Sequence, residues 1–185
     1  MTQNDKDVRL ELVKAWLKGL APKYGLQLET LAPASADASF RRYFRLAARD
    51  GVTMIVMDAP PPRENIAPFV KVDALMHQAG LNVPQLYETD EGQGLILMSD
   101  LGRQTYLDVL TEDNAFGLFD AATDALVKRQ RISKPGILPE YDHAVLKREI
   151  DLFPEWYVAR HRGYRMSDKQ REIAGKCFEN IIAHN

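Results

Sequence analysis

At 185 residues and 21.0 kDa, with 45% apolar and 27% charged residues, the chain has the composition of a folded protein of one domain or two small lobes, and a single domain of this length buries roughly 70% of its unfolded surface. Net charge is −2 and the pI is about 6.1, so there is no basic footprint for nucleic acid. The polar, acidic start from Met1 to Asp7 reads against a signal peptide and no apolar run reaches membrane-spanning length, so a cytoplasmic protein is expected. Cys177 is the sole cysteine, which excludes an internal disulfide and a thiolate metal cluster; it reads as a small apolar residue on a helix face.

In chain order, Val8, Leu12, Ala15, Trp16 and Leu20 recur at helical spacing, widened by Leu10, Val13 and Leu17, and predict an amphipathic helix ending near Gly19 to Pro22. Strands are expected over residues 27–32, 40–47 and 52–58, the last two joined by a turn at Asp50-Gly51. Ala59-Pro60-Pro61-Pro62 forbids the third strand from continuing. Asn65 caps a helix over residues 66–78 that turns Phe69, Val72, Leu75 and Met76 to the sheet and stops at Gly80. Two further strands, over 85–89 and 95–98, flank a turn at Asp90-Glu91-Gly92. Beyond Gly102 strand signals end, and Phe116, Phe119, Ala122 and Leu126, then Val145, Leu146, Ile150 and Phe153, repeat with helical periods. The expectation is an α+β chain with a first lobe over 1–101 and a hinge plus helical second lobe over 102–185. Repeats and low-complexity segments are absent from the sequence.

Two stretches carry chemistry. Ser35-Ala36-Asp37-Ala38-Ser39-Phe40 is a run of small and polar residues opening into Arg41-Arg42-Tyr43-Phe44-Arg45-Leu46, and such a loop over a hairpin lets backbone N–H groups converge on an anion. Gly94 to Gly102 gives a buried strand ending in a Ser99-Asp100-Leu101-Gly102 turn. Together with Met57-Asp58-Ala59-Pro60 and Gly80-Leu81-Asn82-Val83-Pro84, these ordered blocks resemble the aminoglycoside phosphotransferase family. The nearest resemblance within it is to the bacterial kinases that phosphorylate the anomeric hydroxyl of N-acetylmuramate and N-acetylglucosamine in cell-wall recycling, and the blocks spread from Ser35 to about Tyr157.

The resemblance implies a protein-kinase-like fold, a five-stranded antiparallel first lobe with one helix, and ATP with Mg²⁺ as cofactors for transfer to a small amino sugar. On it, Asp37, Ala38, Ser39, Phe40, Arg41 and Arg42 are the expected phosphate-side residues, and Met98, Ser99, Asp100 and Leu101 frame adenine. Asp100-Leu101-Gly102 mimics a magnesium motif but closes the fifth strand and reads as hinge; Asp151-Leu152-Phe153, next to Pro154, reads as scaffold or substrate wall. Kinases carry a phosphate-holding Lys on the third strand where Val56-Met57-Asp58 has none, and Lys71 lies too far along. Arg41 or Arg42 is therefore the expected substitute, one of them pointing inward by strand alternation.

The related kinases recognise sugar through second-lobe helices, so Glu149, Asp151 and Trp156 are the expected substrate residues, carboxylates for hydroxyls and an indole face for the pyranose. No histidine fits the His-x-Asp…Asn catalytic-loop pattern: His77, His143 and His184 lack the Asp, and His161-Arg162-Gly163 has Gly163 in its place. The expectation is a chain cut before its catalytic and metal-binding segments, inactive alone, with a second lobe prone to self-association. The rival from another class is a catalytically dead pseudokinase that binds a nucleotide or a partner. An aminoglycoside-resistance enzyme would need an acidic cleft that these residues do not supply.

Overall fold

The computed structural model describes residues 3–36 and 39–184, which fall into two compact units, Met1–Ser133 and Lys134–Asn185. The first opens with α1 (Gln3–Tyr24), followed by β1 (Gln27–Ala36), β2 (Arg42–Ala47), β3 (Thr53–Asp58), α2 (Ala67–Gln78), β4 (Leu86–Asp90), β5 (Leu95–Ser99), α3 (Tyr106–Val109) and α4 (Ala115–Ile132). All strand pairs are antiparallel, in the order β1-β2-β3-β5-β4. The fold is α+β, as the sequence leads one to expect.

Strand alternation sorts the side chains onto two covered faces. Phe44 and Leu46, Met54 and Val56, and Leu95 and Leu97 form one, closed by Val13 and Leu17 of α1, both fully buried. The other joins Ile55, Met57, Ile96 and Met98 to Ile66 and to Phe69 and Val70 of α2. Thus α2 packs on the sheet through Phe69 and Val70 rather than through a stripe continuing to Val72 and Leu75. β3 and β5 sit centrally and are buried on both faces, which is why they read as unbroken apolar runs rather than as alternation.

Several expected boundaries move, each for a local reason. α1 runs through Gly19 and Pro22 to Tyr24, because Pro22 lies in its last turn and Gly25, at φ +65°, supplies the actual stop while its N–H bonds the Ala21 carbonyl. β1 extends to Ala36, so Ser35 and Ala36 belong to a strand and the connection to Arg42 is short. Asp50 and Gly51 both take positive φ, the requirement of a type I′ turn, closed by the Val52 N–H on the Arg49 carbonyl. The N-cap of α2 is Ile66 rather than Asn65, and Asn65, one residue earlier, accepts from the Ala67 N–H at 2.9 Å.

The second unit comprises α5 (His143–Leu152), a π-helix over Phe153–His161 and α6 (Asp168–Ala183). Asp142 caps α5 and Ser167 caps α6, the latter in a reciprocal capping box with Gln170. The change of winding starts next to Pro154, which has no N–H for the α-helical ladder; Arg162 then bonds five residues back, to the Tyr157 carbonyl, at 2.9 Å. Among the described residues no helix is long and apolar enough to cross a membrane.

Candidate functional site

The sheet face carrying Met98 is not fully covered. A cavity of about 640 Å³ opens on it, lined by Ala32 and Ala34 of β1, Tyr43 and Arg45 of β2, Thr53 and Ile55 of β3, and the segment from Met98 to Thr105. Its walls are largely apolar, and its rim is the chain leaving β5, so it suits a flat, mostly apolar ring with a polar edge.

That rim is fixed by one carboxylate. Asp100 accepts from Arg45 Nε at 2.5 Å and Nη2 at 2.9 Å, from Thr53 Oγ1 at 2.6 Å and from the Gly102 N–H at 2.9 Å. Arg45 Nη2 also donates to the Gly102 carbonyl at 2.9 Å. The guanidinium and then these other donors hold the Asp100 carboxyl far below the usual carboxylate range, against an opposing push from burial. With side-chain exposures of 14% for Arg45 and 6% for Asp100, this is a shielded bidentate pair tying the rim to β2 and β3.

The expected phosphate-side residues lie elsewhere. Arg42 pairs with Asp58 of β3, whose carboxylate is fully buried and accepts from Arg42 at 2.5 Å and from Arg9 of α1 at 2.6 Å. Arg42 therefore sits on the α1 face, opposite the cavity. Arg41 donates to Glu64 at 3.0 Å, the Phe40 N–H donates to the same carboxylate at 3.2 Å, and the Ser39 hydroxyl accepts from the Arg41 N–H at 3.1 Å. Asp37 and Ala38 lie outside the described residues. Of the arginines on β2, it is Arg45 that lines the cavity.

The remaining expected residues are in the second unit. Asp151 is bonded by Lys147 at 2.5 Å, Glu149 is within 3.4 Å of Arg148, and the Trp156 ring lies under the Arg160 guanidinium at 4.0 Å. Phe153, Tyr157 and His161 stack along one side of the π-helix, with centroids 5.5 and 5.6 Å apart. A hollow of about 390 Å³ in this unit is lined by Val158, Tyr164, Met166, Gln170, Ile173 and Ala174, not by the three expected substrate residues.

Among the described residues no three His, Cys, Asp or Glu side chains gather, and the Asp100 carboxylate is taken up by its four donors. Sequence reasoning missed Tyr43, Arg45 and Thr53. The signal was there, because Phe44 and Leu46 are apolar and face α1, which leaves Tyr43 and Arg45 on the other side of the strand.

Comparison with known proteins decides the family: the model of the phosphotransferase enzyme family matches residues 30–182. The chain belongs to that family. It is 48% identical over 167 residues to the N-acetylmuramate/N-acetylglucosamine kinase of Pseudomonas aeruginosa, covering 86% of this chain and 49% of that protein. Proteins of the same name match at 45% identity in Pseudomonas putida (96% and 54% covered) and at 39% in Neisseria meningitidis serogroup B (92% and 51%). This phosphotransferase-family chain thus spans about half the length of the curated relatives it matches.

Proposed function

We propose that the chain carries the nucleotide-holding part of an ATP-dependent amino-sugar kinase, working in the cytoplasm, with N-acetylmuramate or N-acetylglucosamine, the sugars in its relatives' names, as the acceptor. The observation that supports it best is the apolar cavity bounded by Met98, Ser99, Asp100 and Leu101, in a chain of the phosphotransferase family. ATP supplies the phosphoryl group. The chain's own part is to sandwich adenine between the β1–β3 floor and the segment after β5, which Arg45 and Asp100 hold in place so that little ordering remains to be done on binding. Ser39, Phe40 and Arg41, with Asp37 and Ala38, serve the phosphates in this reading, while Arg42, on the opposite face with Asp58, does not, and Glu149, Asp151 and Trp156 serve the sugar.

A two-dimensional amide NMR titration tests the base site without requiring turnover. Adenosine and ATP both move the resonances of Met98 to Leu101. Saturating nucleotide that shifts neither this segment nor the β1–β2 loop refutes the reading and favours a partner-binding module that does not take nucleotide.

A further inference from the structure

The β1–β2 connection already holds an anion, supplied by the chain itself. Glu64 follows a turn in which the Arg63 and Glu64 N–H groups both bond the Pro60 carbonyl at 3.1 Å, and this turn aims its carboxylate at the loop. One oxygen takes the Phe40 backbone N–H and the other takes the Arg41 Nε. The Glu64 side chain is 13% exposed and that of Arg41 29%, so their ion pair is partly buried, and the Arg63 guanidinium lies over the Phe40 ring at 4.9 Å, adding a second cation beside it. A backbone N–H and a guanidinium converging on one group is the donor set that phosphate oxygens select.

The sheet register places this spot at the end of β2 and β3 remote from the cavity rim. Arg42 pairs with Asp58 at the loop end, whereas Ala47 pairs with Thr53 and Met54 with Ser99 at the rim end. Five residue steps of strand separate the ends, roughly 17 Å, which is of the order an extended nucleoside triphosphate covers from base to terminal phosphate.

We propose that Glu64 is an internal stand-in for phosphate: Phe40 N–H and the Arg41 guanidinium form a polyphosphate site that the Glu64 carboxylate fills and that a nucleotide's phosphates must take from it. The proposal rests on the nucleotide reading above and sharpens it. With Glu64 in place, a triphosphate exchanges one anion for another at this site and gains little from its phosphates. ATP and adenosine then bind the chain with similar strength.

Calorimetric titration with adenosine, ATP and inorganic tripolyphosphate, all without metal, tests it on the wild-type chain and on Glu64→Gln and Glu64→Asp. Glu64→Gln removes the competing charge and strengthens ATP and tripolyphosphate by about tenfold, the scale of one charge-assisted hydrogen bond, while adenosine is unchanged. Glu64→Asp, too short by one methylene to hold both donors, moves the same way by less, and serves if the Gln variant loses its native amide fingerprint. An unchanged ratio of ATP to adenosine affinity, or a fall in ATP affinity because Glu64 in fact holds Arg41 ready, overturns the proposal while adenosine binding leaves the base site standing. Adenosine that binds none of the three proteins overturns the nucleotide reading itself.

Discussion

Two aspartates in the first unit titrate in opposite senses, and the difference is measurable. Asp100 is held ionised chiefly by Arg45, so its folded-state pKa lies below the unfolded one; it stabilises the fold above about pH 4 and that contribution is lost as pH falls through the acid range. Asp100→Asn should cost about 2 kcal/mol near neutrality, because a shielded guanidinium loses its counter-charge, and urea midpoints of variant and wild type should converge below about pH 4. Asp73 on α2 has one carboxylate oxygen buried without a partner among the described residues, and burial pushes its pKa up against an opposing pull from His77. Here the ionised form costs stability above the carboxylate range. Asp73→Asn should therefore raise the neutral-pH urea midpoint, by an amount that shrinks as pH falls; a loss at neutral pH would mean the carboxylate is needed. Neither environment was legible in the sequence. Asp100 is recognisable as a hinge residue from its place after a buried strand, but Arg45 lies 55 positions away and only the sheet register brings them together.

At the scale of elements, α1 is fastened to the sheet twice, by apolar packing and by charge. Leu17→Ala opens a cavity under α1 and should cost about 2–5 kcal/mol. Asp58→Ala leaves Arg9 and Arg42 without their shared buried carboxylate and should cost about 3–5 kcal/mol, read in each case from denaturant unfolding with the slope unchanged. Gly94, at φ +66°, admits no side chain, since a Cβ there would stand 2.0 Å from the Ala59 carbonyl oxygen. Gly94→Ala should lose more than about 3 kcal/mol from strain and overlap combined; a well-folded variant of near wild-type stability would show that the β4–β5 turn yields easily. The strands, both hairpin turns and α2 were legible because period, turn chemistry and caps agree with one another in these stretches. The end of α1 was not, since Pro22 signals a stop one turn before Gly25 provides one. The π-winding after Pro154 was not either: proline announces a fault in the ladder without saying whether the chain breaks or rewinds.

On the scale of the whole molecule, the 185 residues contain no His-x-Asp…Asn pattern, and among the described residues no three His, Cys, Asp or Glu side chains gather. Incubation of this chain with ATP, Mg²⁺ and N-acetylmuramate should give no sugar phosphate; product at rates typical of kinases, on the order of 1–100 s⁻¹, would show that a base outside that pattern suffices. Large apolar side chains stand exposed along the helices, among them Leu107 and Phe116, each at 84%, with Phe119, Trp156 and Tyr157. Surfaces of this kind promote association, so sedimentation velocity should show the chain self-associating as its concentration rises, and a monodisperse monomer would count against that. The strand order decides what such assemblies look like. Its outer members are β1, which carries Pro33 and irregular pairing with β2, and β4, only five residues long with Glu88 and Asp90 on it. A proline, a bulge and acidic side chains are what keep a sheet margin from templating a foreign strand. Clusters of this protein should accordingly be amorphous and reversible on dilution, leaving thioflavin dark, because the margins that would seed a fibril are closed.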